Sequence, residues 1–358
     1  MKIAMVGQFP PHFGGVGVHI HTLAKKLVSQ GHEVYVITYP HKDLKDIDGI
    51  HVIGAKSVPV PGLRGLLFAQ SARKALEELV NEVDIDIIHG HYLFPAGYAA
   101  VKVGKKYNIP TYVTAHGSDM FEVYAKQSFM RPVLRRVLSG ADVVLAVSEA
   151  LKEEIVKTRV SCDLRIHLNS VNVSKFRHDT LSNFKSEIGT DKPVVLFVGN
   201  IIKRKNVNTL LEARKRAKTD YTLAIVGDGP LLNDLKAKVK KENIPDVYFA
   251  GARNDVEKII PGADILVLPS FSESFGLVLI EALACGVPVI GSNVGGIREI
   301  ITPDVGLLIE PDDFDGISSA IDKLISDESL HLEFKSNARD RAMDFSKVKI
   351  PYDEIKGD

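Results

Sequence analysis

Short apolar runs alternate with amphipathic stretches along the whole of this chain, and the alternation falls into two blocks. In the first half the apolar runs are residues 3–6, 34–38, 85–89, 111–115 and 143–147; in the second they are 194–198, 222–226, 247–250, 265–268 and 287–291. Stretches with a period near 3.6, such as 18–29, 70–83 and 207–217, fill the gaps. Continuous apolar runs of this length suit strands buried on both faces. With helices as crossovers they make βαβ units and hence a parallel sheet. Residues 171–190 are polar and weakly periodic and read as a linker. A chain of 358 residues is too long for one ordinary core. The expected fold is therefore α/β, with two Rossmann-like doubly wound domains that bind ligands at the carboxyl ends of their strands.

Composition removes several classes. Net charge is zero, but residues 1–170 hold 20 Lys and Arg against 16 Asp and Glu, while residues 171–358 hold 25 against 29. Ten of the twelve histidines lie in the first half. That balance lacks the strong basic stripe of a nucleic-acid-binding protein. Two cysteines, Cys162 and Cys285, make no disulfide framework and no zinc spacing, and fit a reducing cytosol. The start MKIAMVGQF is a strand rather than a signal peptide, and no run of about 20 apolar residues is present to span a membrane. A cytoplasmic protein is expected.

The segment PSFSESFGLVLIEALACGVPVIGSNVGG carries the chemistry. Glu273 ends a loop after an apolar strand, and Glu281 lies eight residues on, inside an Ala/Leu-rich helix. Between them Phe275, Gly276 and Leu277 form the helix start, where unpaired amides and the dipole attract phosphate. Two carboxylates flanking an anion site suit a nucleotide sugar, with ribose hydroxyls on one and sugar hydroxyls on the other. Gly199-Asn200-Ile201-Ile202-Lys203-Arg204-Lys205 follows the first strand of the second half, and Lys205 supplies a mobile ammonium for a diphosphate. Gly227-Asp228-Gly229-Pro230 is a turn facing the nucleotide. In the first half, Gly14-Gly15-Val16-Gly17 lets backbone amides approach a phosphate. A dinucleotide site does not fit there, because the spacing is not G-x-G-x-x-G and the second strand ends Thr38-Tyr39 without an acidic residue. His116-Gly117-Ser118-Asp119 closes another strand and can hold sugar hydroxyls near a reacting carbon. The pairs Asp84/Asp86 and Asp46/Asp48 imitate a metal-binding DxD, but one lies at a strand's start and the other in a polar connection. No metal and no cofactor are expected.

Together these motifs resemble the retaining glycosyltransferases of the GT-B fold, specifically the glycogen-synthase-like group (glycosyltransferase family 4, group 1), and the resemblance runs over nearly the whole chain. It implies two Rossmann-like domains facing a cleft: 1–170 on the acceptor side, 171–344 binding the nucleotide sugar, and a tail, 345–358, crossing back to the first domain. It implies catalytic roles for His116, Asp119 and Glu273. Gly15, Lys205, Gly227, Phe275, Gly276, Leu277 and Glu281 would bind the donor, and His91, of His89-Gly90-His91, would line the acceptor side. The family's diphosphate-binding arginine after the loop glycine is here Asn200, and its Pro-Asn-Gly-Val-Asp near the hinge is Leu168-Asn169-Ser170-Val171-Asn172. No residue stands out as a covalent nucleophile; in this family the acceptor is thought to attack the face that the nucleotide leaves. The expected function is transfer of a sugar from a nucleotide donor to an acceptor hydroxyl, whether of a sugar, a lipid-linked or a small-molecule acceptor. A sugar-nucleotide epimerase of similar fold and a non-catalytic nucleotide-sugar-binding module are the other classes. Residues 128–140 mix Arg131, Arg135 and Arg136 with apolar residues; they form either a helix packed on the sheet or a peripheral contact at the inner membrane face.

Overall fold

The computed structural model describes residues 1–12, 14–56, 63–347 and 350–352. It divides into two compact units, residues 1–169 with 348–358 and residues 170–347. The first holds a seven-stranded sheet: β1 (Lys2–Val6), β2 (Glu33–Thr38), β3 (Ile50–Gly54), β4 (Ile87–His91), β5 (Thr111–Ala115), β6 (Val143–Ala146) and β7 (Leu164–Ile166). Their order is β3-β2-β1-β4-β5-β6-β7, every pair parallel. The second holds β8 (Val194–Val198), β9 (Thr222–Val226), β10 (Val247–Gly251), β11 (Ile265–Leu268), β12 (Val289–Ser292) and β13 (Gly306–Ile309). These are ordered β10-β9-β8-β11-β12-β13, again parallel throughout.

The period of two along β1 assigns its side chains to two cores. Ile3 and Met5 join Ile20, Leu23, Ala24 and Leu27, the inward face of the helix Gly15–Ser29. Ala4 and Val6 point the other way and join Phe68, Ala72, Leu76 and Leu79 of the helix Arg64–Glu82. Burying each large aliphatic side chain contributes about 1.5–3 kcal/mol, so a strand clamped between two helices is held firmly from both faces. The order reverses between β1 and β4 in the first sheet and between β8 and β11 in the second. At such switch points the loops leave in opposite directions and open a crevice at the strands' carboxyl ends. His91 ends β4 at the first switch; the loops carrying Lys205 and Glu273 leave β8 and β11 at the second.

The structure corrects several sequence boundaries. The unpredicted strands β3, β7 and β13 are all sheet edges, where one side lacks a partner strand and the apolar signal is short or mixed. The strand expected at 85–89 is Ile87–His91, because pairing with β1 begins at Ile3 opposite Ile87 and the Asp86 carboxylate accepts from the Lys2 amide at 2.6 Å. Residues 171–190 are no bare linker: Phe176 and Phe184 are buried, and Phe184–Ile188 is helical, all within the second unit. Residues 345–347 also stay there. Phe345 packs edge-on to Phe275 at 5.7 Å and accepts from the Val171 amide. Beyond them, Ile350 and Tyr352 are buried in the first unit's core, where the Tyr352 hydroxyl meets His89 Nδ1 and the ring stands edge-on to Tyr112.

Candidate active site

In the second unit the chain leaving β8 is fixed by its own backbone. The Gly199 amide donates to Val226 at 3.0 Å and the Ile201 amide to Asp228 at 2.8 Å. Gly227, expected to face the nucleotide, donates its amide to Gly251, and a Cβ there would lie 1.9 Å from the Gly199 carbonyl oxygen. Its work is to let the two loops touch. The turn Lys203–Lys205 then aims two cations at one carboxylate. Lys205 Nζ donates to Glu273 Oε2, and Arg204 lies 3.5 Å from Oε1 while also donating to the Ser272 carbonyl at 2.9 Å. The Arg204 carbonyl in turn accepts from the Phe271 amide at 2.8 Å. Burial pushes the Glu273 carboxyl up, but Lys205 and Arg204 outweigh it and hold the group below its ordinary value. Arg204 thus supplies a second cation in a loop that has Asn200 after its glycine. The sequence could not show this, since either basic neighbour of Lys205 could have faced solvent.

Gly295 and Gly296 hold the Glu273 loop. The Gly296 amide donates to the Glu273 carbonyl at 3.1 Å, and a Cβ on Gly295, at φ +47°, would lie 1.9 Å from that oxygen. The helix Leu277–Ala284 begins after Gly276, so its first amides precede the intrahelical ladder. Phe275 contributes backbone only, for its side chain is core. Glu281 is half-buried on that helix. Burial pushes its carboxyl up to about 7, opposed by Lys175 and reinforced by Glu257.

In the first unit Gly15 is not in a loop but opens the helix Gly15–Ser29, after Gly14. Asp119 is buried, and its carboxylate accepts from the Leu93 amide at 3.0 Å and the Gly117 amide at 2.9 Å. Burial raises its pKa and those amides pull it back. The buried Asp119 carboxylate is thus turned to the backbone of the loop that carries His116 and not to open space. His91 is fully buried rather than lining a surface: it stacks between His89, at 4.1 Å, and His116, at 5.5 Å, with its Nδ1 3.3 Å from His116 Nε2. His19 and His167, which the sequence reading did not single out, complete the group; His19 lies 5.1 Å from the His116 ring and 6.2 Å from that of His167. The ten histidines of the first half were the available signal, but their convergence is tertiary. Burial, with repulsion from His89 and His167, pushes His116 down to about 3, so it meets a ligand as neutral imidazole.

Other candidates have structural partners. Asp46 accepts from the Val52 amide, and Asp48 pairs with His21 and Lys25. Arg131 donates to the Tyr124 and Ala125 carbonyls and Arg135 to Thr158, while the apolar residues Leu134, Val137 and Leu138 of their helix are buried. Among the described residues no helix is long and apolar enough to cross a membrane.

Comparison with known proteins bears on both units. Residues 179–341 match the family described as glycosyl transferases group 1, and residues 13–175 match glycosyltransferase family 4. The N-acetyl-alpha-D-glucosaminyl L-malate synthase of Bacillus anthracis is 32% identical, over 98% of this chain and 95% of its own. Among solved structures, sucrose-phosphate synthase from Thermosynechococcus elongatus superposes with a TM-score of 0.86 at 23% identity, covering 97% of this chain and 95% of its own. Anabaena HepE in complex with UDP-glucose gives 0.82 at 20% identity, covering 97% and 96%. The fold is therefore the GT-B fold anticipated from the sequence, and the chain belongs to the family 4/group 1 glycosyltransferases.

Proposed function

We propose that this glycosyltransferase moves a sugar from a nucleoside-diphosphate donor to an acceptor hydroxyl with retention of configuration and without a metal ion. The observation that carries the proposal is the Lys205–Glu273–Arg204 cluster at the β8/β11 switch point. Two cations held on one buried carboxylate form a preorganised charge site that a diphosphate can enter, releasing Glu273 to accept from sugar hydroxyls. Glu281 accepts the ribose hydroxyls, and the first amides of the helix after Gly276 take charge building on the leaving phosphate. His116, neutral and held by the Asp119-fixed loop, acts on the transferred sugar. The complex of the HepE neighbour with UDP-glucose supports a nucleotide sugar as donor. The buried apolar side of the helix Arg131–Leu138 favours an acceptor met in solution over one met at a membrane surface, and we take the enzyme to be cytoplasmic.

A panel of UDP-, GDP- and ADP-sugars, scored for thermal shift, hydrolysis and the anomeric configuration of the product, tests the reading. Inverted product, or activity that vanishes on chelation and returns only with Mg²⁺ or Mn²⁺, overturns the corresponding part. His116→Ala should retain donor binding yet turn over at least about tenfold more slowly, a barrier change of roughly 1.4 kcal/mol. Donor binding without any turnover by the unaltered protein would make it a binding module, and interconversion of two nucleotide sugars an epimerase.

A further inference from the structure

The histidine group of the first unit does more than a sugar contact requires. His89 is committed on both ring nitrogens, to the Tyr352 hydroxyl and to Thr114 Oγ1 at 2.7 Å, and serves as scaffold. His19 and His91 are different. Each is buried, and each has its Nε2 shielded from solvent without a hydrogen-bond partner. An orphaned buried nitrogen costs about 1–3 kcal/mol; His91 turns its Nδ1 to His116, so the nitrogen that a ligand would satisfy is that of His19. One ring nitrogen from each of His19, His91 and His116 lies within 4.8 Å of the others. The three come from the helix Gly15–Ser29, from the end of β4 and from the loop after β5, which the β1-β4-β5 order brings to one crevice.

We propose that His19, His91 and His116 form a three-imidazole site for a borderline transition-metal ion such as Zn²⁺, with its fourth position open to water. A tetrahedral ion with metal–nitrogen bonds of about 2.0–2.1 Å holds its ligands roughly 3.3–3.4 Å apart. The His91 Nδ1 to His116 Nε2 distance of 3.3 Å matches that spacing, and one nitrogen of each of the three rings lies within 4.8 Å of the others. All three ligands are imidazoles, which suit Zn²⁺, Ni²⁺ and Cu²⁺ and not the hard ions Mg²⁺ and Ca²⁺. The nearby carboxylate of Asp119 is held by the amides of Leu93 and Gly117 and adds no oxygen ligand. A bound ion captures His116, so it inhibits sugar transfer. That consequence, unlike the site itself, rests on the proposed function.

Calorimetric titration of chelator-treated protein with ZnCl₂ should show one tight site per chain. His19→Gln and His91→Gln should each weaken it at least tenfold. Zinc-edge X-ray absorption of the unaltered protein should show three imidazoles, a readout that needs no variant to fold. Fewer than three imidazoles, or an affinity unchanged in both variants, assigns the zinc to surface pairs such as His21–Asp48 and overturns the proposal. Zinc should abolish turnover of the unaltered enzyme and spare His19→Gln. Three-imidazole binding without inhibition confirms the site and counts instead against the role of His116 in transfer.

Discussion

Replacing Glu281 by glutamine separates the stability of the free protein from its affinity for nucleotide. The carboxyl is half-buried on the helix Leu277–Ala284, and its pKa is raised from 4.5 to about 7, chiefly by burial. Because the folded value lies above the unfolded one, the neutral acid favours the fold. That contribution is complete below pH 4.5 and is lost as pH rises through 7. A rise of this size corresponds to about 3 kcal/mol at pH 8 and to less than about 1 kcal/mol at pH 5. Glutamine keeps the shape and never ionises, so Glu281→Gln should be the more stable protein at pH 8, with the advantage shrinking towards pH 5. For a unit the size of residues 170–347 the gain amounts to a Tm higher by about 6–12 °C at pH 8. The same variant should bind nucleoside diphosphate more weakly by about 1.5–3 kcal/mol, the contribution of hydrogen bonds to a charged acceptor. Differential scanning calorimetry from pH 5 to 8, paired with titration calorimetry, measures both. A Tm difference that does not change with pH refutes the assigned burial of the carboxyl, and unchanged diphosphate affinity refutes its contact with ribose.

Three further outcomes follow from particular contacts. Glu273→Gln leaves Lys205 and Arg204 without their carboxylate, so affinity for free nucleoside diphosphate should hold or rise while turnover of the intact donor falls at least about tenfold; parallel loss of both would remove Glu273 from the sugar. Gly295→Ala sets a methyl against the Glu273 carbonyl at a positive φ, a strain of about 1–3 kcal/mol. Its turnover should drop and its Tm fall by several degrees, and kinetics equal to wild type would show that the two glycines do not position Glu273. Tyr352→Phe leaves His89 Nδ1 unpaired in the first unit's core and should cost about 1–3 kcal/mol by urea denaturation; an unchanged midpoint would show that another group takes up that nitrogen.

The sequence by itself determined the class of fold. Parallel strands buried on both faces must be nearly all apolar, so β1, β5, β8, β9 and β11 stood out as runs; the edge strands β3, β7 and β13 need no such run and did not, although the edge strand β10 did. It also carries the expectation of anion binding around Gly276, since a strand, a loop ending in a carboxylate and a helix start are consecutive in the chain. Tertiary structure decided what each residue does there. Arg204 became a partner of Glu273 only because the β8 and β11 loops leave neighbouring strands. The Asp119 carboxylate is turned to backbone because Leu93 lies beside it, 26 residues away in sequence. His19, His91 and His116 converge across almost a hundred residues, a relation that no spacing rule expresses, because it depends on strand order and on which helix face each core buries. Local chemistry is written in neighbouring residues; partnership between distant side chains exists only once the sheets are assembled.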